Sequence, residues 1–111
     1  MNRISSLAPD PRFVPVVEAF ADEANVTAGK MMSSYGLKVN GKIFAMFGRN
    51  QFVCKLPKQR VDELVGLGRG KRFDPGHGRV MKEWIALTGG DAEWVEIARE
   101  AYRFVGANAA K

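Results

Sequence analysis

YGLKVNGKIFAMFGRNQFVCKL, residues 35–56, decides the fold. Leu37 and Val39 alternate with Gly36 and Lys38 up to Asn40-Gly41, and KIFAMF follows at 42–47. Asn-Gly between apolar runs is the sequence of a two-residue type I′ turn, which needs positive φ at both central residues. The return strand is apolar on both faces, as expected of a central strand covered on both sides, or covered on one side and held at a partner interface on the other. Gly48-Arg49-Asn50 turns the chain again, and QFVCKL at 51–56 makes a third strand. The three strands form an antiparallel meander.

Upstream, Asp10-Pro11 reads as an N-cap followed by proline at the first helical position. Phe13, Val16, Val17, Phe20 and Ala24 recur at three- and four-residue intervals, with Glu18, Asp22 and Glu23 on the other face. This spacing predicts a helix that ends near Thr27-Ala28-Gly29, with Pro15 delaying its regular part. Downstream, Pro57 opens a short helix with Val61, Leu64 and Val65 inward, and Gly66 and Gly68 are placed to end it. Lys71-Arg72-Phe73 reads as a short strand, 74–78 as a turn and RVMKEWIALT, 79–88, as a longer strand. In that strand either Lys82 or Glu83 must share a side with apolar residues; if it is Glu83, Lys55 is the expected cationic partner. Gly89-Gly90-Asp91 then caps a last helix whose stripe is Trp94, Ile97, Ala98, Ala101, Phe104 and Val105.

The order α-β(3)-α-β(2)-α predicts an α+β two-layer sandwich, an antiparallel sheet with helices packed on it. Residues 1–9 are expected to be a flexible N-terminus, 10–106 the single domain and 107–111 a frayed C-terminus. A chain of 111 residues buries roughly two thirds of the surface its unfolded form exposes, enough for one core without staples. One cysteine, Cys54, excludes an internal disulfide and fits a reducing cytoplasm. The N-terminal stretch has no apolar run of the secretory kind, and no segment approaches the ~18 apolar residues of a membrane span. A cytoplasmic protein without membrane contact is expected.

The formal charge of +5 is unevenly placed: between Lys30 and Lys82 twelve lysines and arginines stand against three acids. A basic middle between acidic ends favours a polyanion or an acidic protein partner, and it also describes a merely solvated face. Arg69, Lys71, Arg72, Arg79 and Lys82 could line one hairpin, with Phe73 and Trp84 beside them, and so form a surface for a polyanion or partner.

Catalytic and cofactor patterns fail in this stretch. A phosphate-binding loop needs a glycine at position 65 and a hydroxyl after Gly70-Lys71, where the chain has Val65 and Arg72. Gly66 and Gly68 follow a helix, and Lys71 stands where a dinucleotide fingerprint has its third glycine. Zinc sites want three or four His, Cys or carboxylate ligands, and the chain offers one histidine, His77, and one cysteine, Cys54, so His77 reads as an exposed turn residue. Cys54 alternates in register with Phe52 and Leu56, which marks a small core residue rather than a nucleophile. Neither a cofactor nor enzymatic activity is expected.

YGLKVNGKIFAMF, FVCKLP and RFDPGHGRVMKEW together resemble the N-terminal domain of the TfoX (Sxy) family. Leu37, Gly41, Phe44 and Ala45 fall on that family's hairpin pattern, Lys55 on its following strand, and Phe73 and Trp84 on its late hairpin. Met32-Ser33-Ser34 replaces the family's Phe-Gly-Gly. The similarity runs from about residue 10 to 105 and implies a fold like YjbR and the secretion chaperones. It further implies a stand-alone, non-enzymatic bacterial regulatory or adaptor domain, related to competence regulators and acting through a protein partner. Nucleic-acid binding by the hairpin around residues 69–82 is the alternative, and the two-faced central strand leaves room for a homodimer.

Overall fold

The computed structural model describes residues 10–31, 34–74, 81–88 and 91–109. Asn40 and Gly41 take φ of 52° and 84°, the left-handed turn their sequence demands. Arg49 and Asn50 also lie at positive φ, 53° and 63°, so the second hairpin turns in the same way without a glycine. These turns join β2 (Ser34–Val39), β3 (Lys42–Gly48) and β4 (Gln51–Lys55) into the expected meander.

Before the meander, the chain departs from its helical spacing. Helix α1 covers only Val14–Ala19, and β1 runs from Val26 to Met31. Asp10 Oδ1 accepts the Arg12 N–H at 2.9 Å and the Asp10 carbonyl accepts the Phe13 N–H at 2.8 Å, which forms the looser turn ahead of Pro15. The apolar spacing is real as far as Phe20, because Phe13, Val16 and Phe20 are all buried, but Ala24 is exposed. Beyond it the backbone of residues 26–31 pairs in unbroken antiparallel register with β2, from Val26↔Val39 to Met31↔Ser34. The helix expected to reach 27–29 thus gives way to a strand, because a ready-made neighbouring strand satisfies its backbone groups and β-branched Val26 and Thr27 suit the pleat.

After β4 come α2 (Lys58–Gly66), β5 (Gly70–Phe73), β6 (Met81–Leu87), a 3₁₀ turn (Asp91–Glu93) and α3 (Trp94–Ala109). Pro57 is the N-cap of α2. At its other end the N–H of Gly68 bonds the Val65 carbonyl, that of Arg69 bonds the Leu64 carbonyl, and Gly68 has φ 75°. This is a Schellman ending, with glycine at the left-handed position. Helix α3 continues through 107–109, past its expected end; 1–9 and 110–111 lie outside the described residues.

The six strands form one antiparallel sheet in the order β1-β2-β3-β4-β6-β5. The architecture is α+β, with three helices packed on one face of the sheet and one strand more than the sequence pattern supplies. Leu37, Ala45, Cys54 and Ile85 lie in register on the covered face. They share a single core with Phe13 and Val16 of α1, Val61 and Leu64 of α2, and Trp94, Ile97 and Ala101 of α3. Phe52 stacks on Trp94 with ring centroids 4.8 Å apart. Opposite the Leu37–Lys38 step β3 carries one extra residue, since Leu37 pairs with Ala45 and Lys38 with Ile43. The extra residue is Phe44, and this β-bulge turns both Phe44 and Ala45 into the core. The bulge accounts in part for the apolar run of β3.

Candidate functional site

The described cations of residues 69–82 do not form one surface. In β5, successive side chains point to opposite faces. Arg72 sits in register with Ile85 and reaches the helix layer, where its Nη2 donates to Asp62 Oδ1 at 2.5 Å. Lys71 sits in register with Ala86 on the other face and is exposed. Arg69, just before β5, pairs with Glu93 of the 3₁₀ turn. Lys82 is exposed and alternates onto the side of Trp84, whereas Glu83 alternates onto the side of Ile85. Glu83 lies near the exposed start of β6, its Oε1 3.9 Å from Lys55 Nζ, the partner expected for it. Arg79 and His77 lie outside the described residues. Arg69 and Arg72 therefore tie the sheet to helix-side carboxylates, and Lys71 and Lys82 project away from them. Asp62 has its carboxyl held below the ordinary 3.8 by hydrogen bonds from Lys58 and then Arg72.

The face that carries no helix is built differently. One row across it reads Gly29, Gly36, Met46, Val53, Ala86 and Lys71, each opposite the next in the ladder. Val53 and Ala86 are buried but stand apart from the helix-side core. In the adjoining rows Lys38 pairs with Ile43 and Lys55 with Trp84, all four half-buried. Lys55 Nζ lies 5.9 Å from the centre of the Trp84 ring. A half-buried lysine lays its methylene stem on apolar neighbours and keeps its ammonium in water. The result is a low apolar floor edged by Lys38, Lys55, Lys71 and Lys82. No strand position facing this way carries a carboxylate among the described residues, and Lys38, Lys71 and Lys82 make no ion pair among them. Glu18 on α1, Asp62 and Glu63 on α2, Glu93, and Glu96 and Glu100 on α3 lie on the helix layer, whereas Asp74 follows β5 at the depressions of the open face and Glu83 approaches Lys55.

Two depressions mark one end of the open face. One, of about 170 Å³, is lined by Met46, Val53 and Phe73 together with Ser34, Arg49, Gln51 and Asp74. The other, of about 150 Å³, adds Lys71, Arg72 and Ala86, and Gln51, Phe73 and Asp74 border both. Sequence reasoning singled out Lys71, Lys82, Phe73 and Trp84 from this face. It placed neither Lys38 nor Lys55 on a binding surface, taking Lys55 as a partner for Glu83 and as a position of the TfoX-like strand pattern. Strict alternation beside core residues Leu37 and Cys54 was the signal that could have found both.

Cys54 is fully buried, and loss of solvation pushes its thiol well above its usual range, so it is held protonated in the core. Among the described residues no group of three or more His, Cys, Asp or Glu side chains could hold a metal ion. Among them, too, no helix is long and apolar enough to cross a membrane. The chain matches no protein-family model and no curated protein.

Proposed function

We propose that this chain is a non-catalytic regulatory module of the cytoplasm, of the kind its TfoX-like motifs imply, and that it works by binding nucleic acid across the open face of its sheet. The observation that supports this reading is the set Lys38, Lys71 and Lys82, which pair with no carboxylate among the described residues, together with Lys55, which Glu83 approaches only at 3.9 Å. Lysines at that density neutralise phosphates, and the half-buried rings of Trp84 and Phe73 give unpaired bases an apolar surface to stack on. This moves the binding surface from the hairpin alone to the whole face, because Arg69 and Arg72 are engaged by Glu93 and Asp62.

The test is fluorescence anisotropy with labelled single-stranded and duplex DNA over a salt series. If all four lysines meet phosphates of a single strand, log K falls against log salt with a slope of about −3. Lys38→Glu/Lys71→Glu is compared with Arg99→Glu/Arg103→Glu, which changes net charge equally from the helix layer. The expected outcome is binding lost in the first variant and kept in the second. Equal loss in both would mean that net charge alone attracts the polymer, and no binding by the wild type would leave a protein partner as the regulatory contact.

A further inference from the structure

The two edges of the sheet differ in a way that points outward. The β5 edge is four residues long and breaks register between Arg72 and Phe73, where the next pair jumps from Ile85 to Met81. A short, irregular edge of this kind resists pairing with another chain. The β1 edge is six residues, holds perfect register with β2 and contains no proline or bulge. As the end strand of the sheet it pairs with no strand on its outer side among the described residues. The Asn40 N–H donates to the Asn25 carbonyl directly across the ladder at 2.9 Å. Backbone direction alternates along a strand, so Thr27 and Gly29 turn their amides toward β2, and Ala28 and Lys30 turn theirs outward. The Val26 N–H is already taken by the Glu23 carbonyl at 3.1 Å, and its own carbonyl points outward with no partner among the described residues.

We propose that β1 is the seam of a homodimer in which it pairs antiparallel with β1 of a second copy of this chain. The strand is self-complementary when the two-fold axis passes midway between Ala28 and Ala28 of the second copy. Ala28 then exchanges both hydrogen bonds with Ala28 of the second copy, and the Lys30 N–H meets the outward Val26 carbonyl. Thr27 stands opposite Gly29, which has open space where a Cβ would sit. The strand's one charge, Lys30, faces Val26 rather than its own copy, so the closed pair opposes no like charges. A two-fold seam of this kind closes on itself, whereas a peptide of unrelated sequence would need its own fit to Lys30.

A two-fold axis perpendicular to a continuous sheet keeps both open faces on the same side. The dimer would therefore present twelve strands spanning about 50 Å, with both sets of open-face lysines in one surface. The inference does not rest on the nucleic-acid reading and is tested without any polymer present.

Sedimentation velocity over a broad concentration series is the first measurement, with hydrogen exchange of the Ala28 and Lys30 amides alongside. The expected result is reversible dimerisation, with protection of those two amides that rises with protein concentration. Ala28→Pro removes an outward amide without touching the β2 ladder, and Ala28→Lys places like charges opposite each other at the axis. Each should weaken the dimer about tenfold or more, while circular dichroism and the unfolding midpoint, read at concentrations where the wild type is monomeric, stay near wild type. A monomer at every concentration overturns the proposal. So does a dimer whose affinity both variants leave unchanged, or one that forms while the two amides exchange freely. Should Ala28→Pro fail to fold, Ala28→Lys and the exchange data decide alone.

Discussion

Single residues in this protein act through what their neighbours deny them. Cys54 is sealed between Ala45 and Ile85 in the covered face, and burial keeps its thiol protonated. A thiol reagent should therefore modify it only when the whole domain opens, and the labelling rate in denaturant should track global unfolding. Rapid labelling of native protein would show that the residue is not in the core. Gly68 is a different case. Its surroundings are empty, so a methyl group meets no atom, but its φ of 75° lies where L side chains are strained. Gly68→Ala should cost about 1 kcal/mol, read as a shift in the urea midpoint at unchanged slope. A larger loss accompanied by a changed slope would mean that the ending of α2 does more than close a helix.

At the scale of elements, α2 is tied on two sides. Arg60 forks onto Glu100 of α3, Nε to Oε1 at 2.8 Å and Nη2 to Oε2 at 3.0 Å, and also meets Glu63 at 2.8 Å. These carboxylates raise the Arg60 guanidinium above its ordinary range, with Glu100 the larger cause. Asp62 ties the same helix to β5 through Arg72 and bonds Lys58 within its own turn at 2.9 Å. The folded-state pKa of Asp62 lies below its unfolded value of 3.8, so its contribution to stability is present above about pH 4 and fades as pH falls through the folded value. Asp62→Asn should accordingly be less stable than wild type at pH 7, with the gap narrowing below pH 4. A gap independent of pH would remove the ion pairs as its cause. The difference should be modest, because both groups are more than a third exposed.

For the whole molecule the governing feature is the separation of charge between layers. The helices hold carboxylates and spend Arg60, Arg69 and Arg72 on them, while the open face keeps lysines. The separation follows from the alternation of the strands rather than from any run of basic residues. Arg72 and Lys71 are adjacent in the chain and serve opposite layers. Joining two copies along β1 would extend that basic face without adding a residue, so the oligomeric state and any salt-dependent binding should be coupled. Adding single-stranded DNA should then shift the sedimentation equilibrium toward dimer if both proposals hold, and leave it unmoved if only one does.

The sequence alone determined the parts whose chemistry is local. Asn40-Gly41 demanded a left-handed turn, Gly68 a helix ending, and the spacing of Trp94, Ile97, Ala98, Ala101 and Val105 a helix with one buried side. It could not place β1, because Phe13 to Ala24 keep a helical spacing, and only the presence of β2 alongside decides that residues 26–31 are extended. Nor could it settle the basic stretch at 69–82, whose letters are the same whether its arginines meet solvent or carboxylates. Asp62 lies ten residues from Arg72 and Glu93 twenty-four from Arg69, separations at which pairing is decided by how layers stack. The open face was half legible for the same reason. Alternation says that Lys38 and Lys55 oppose core residues, but only the tertiary packing decides which side of the sheet the helices leave bare.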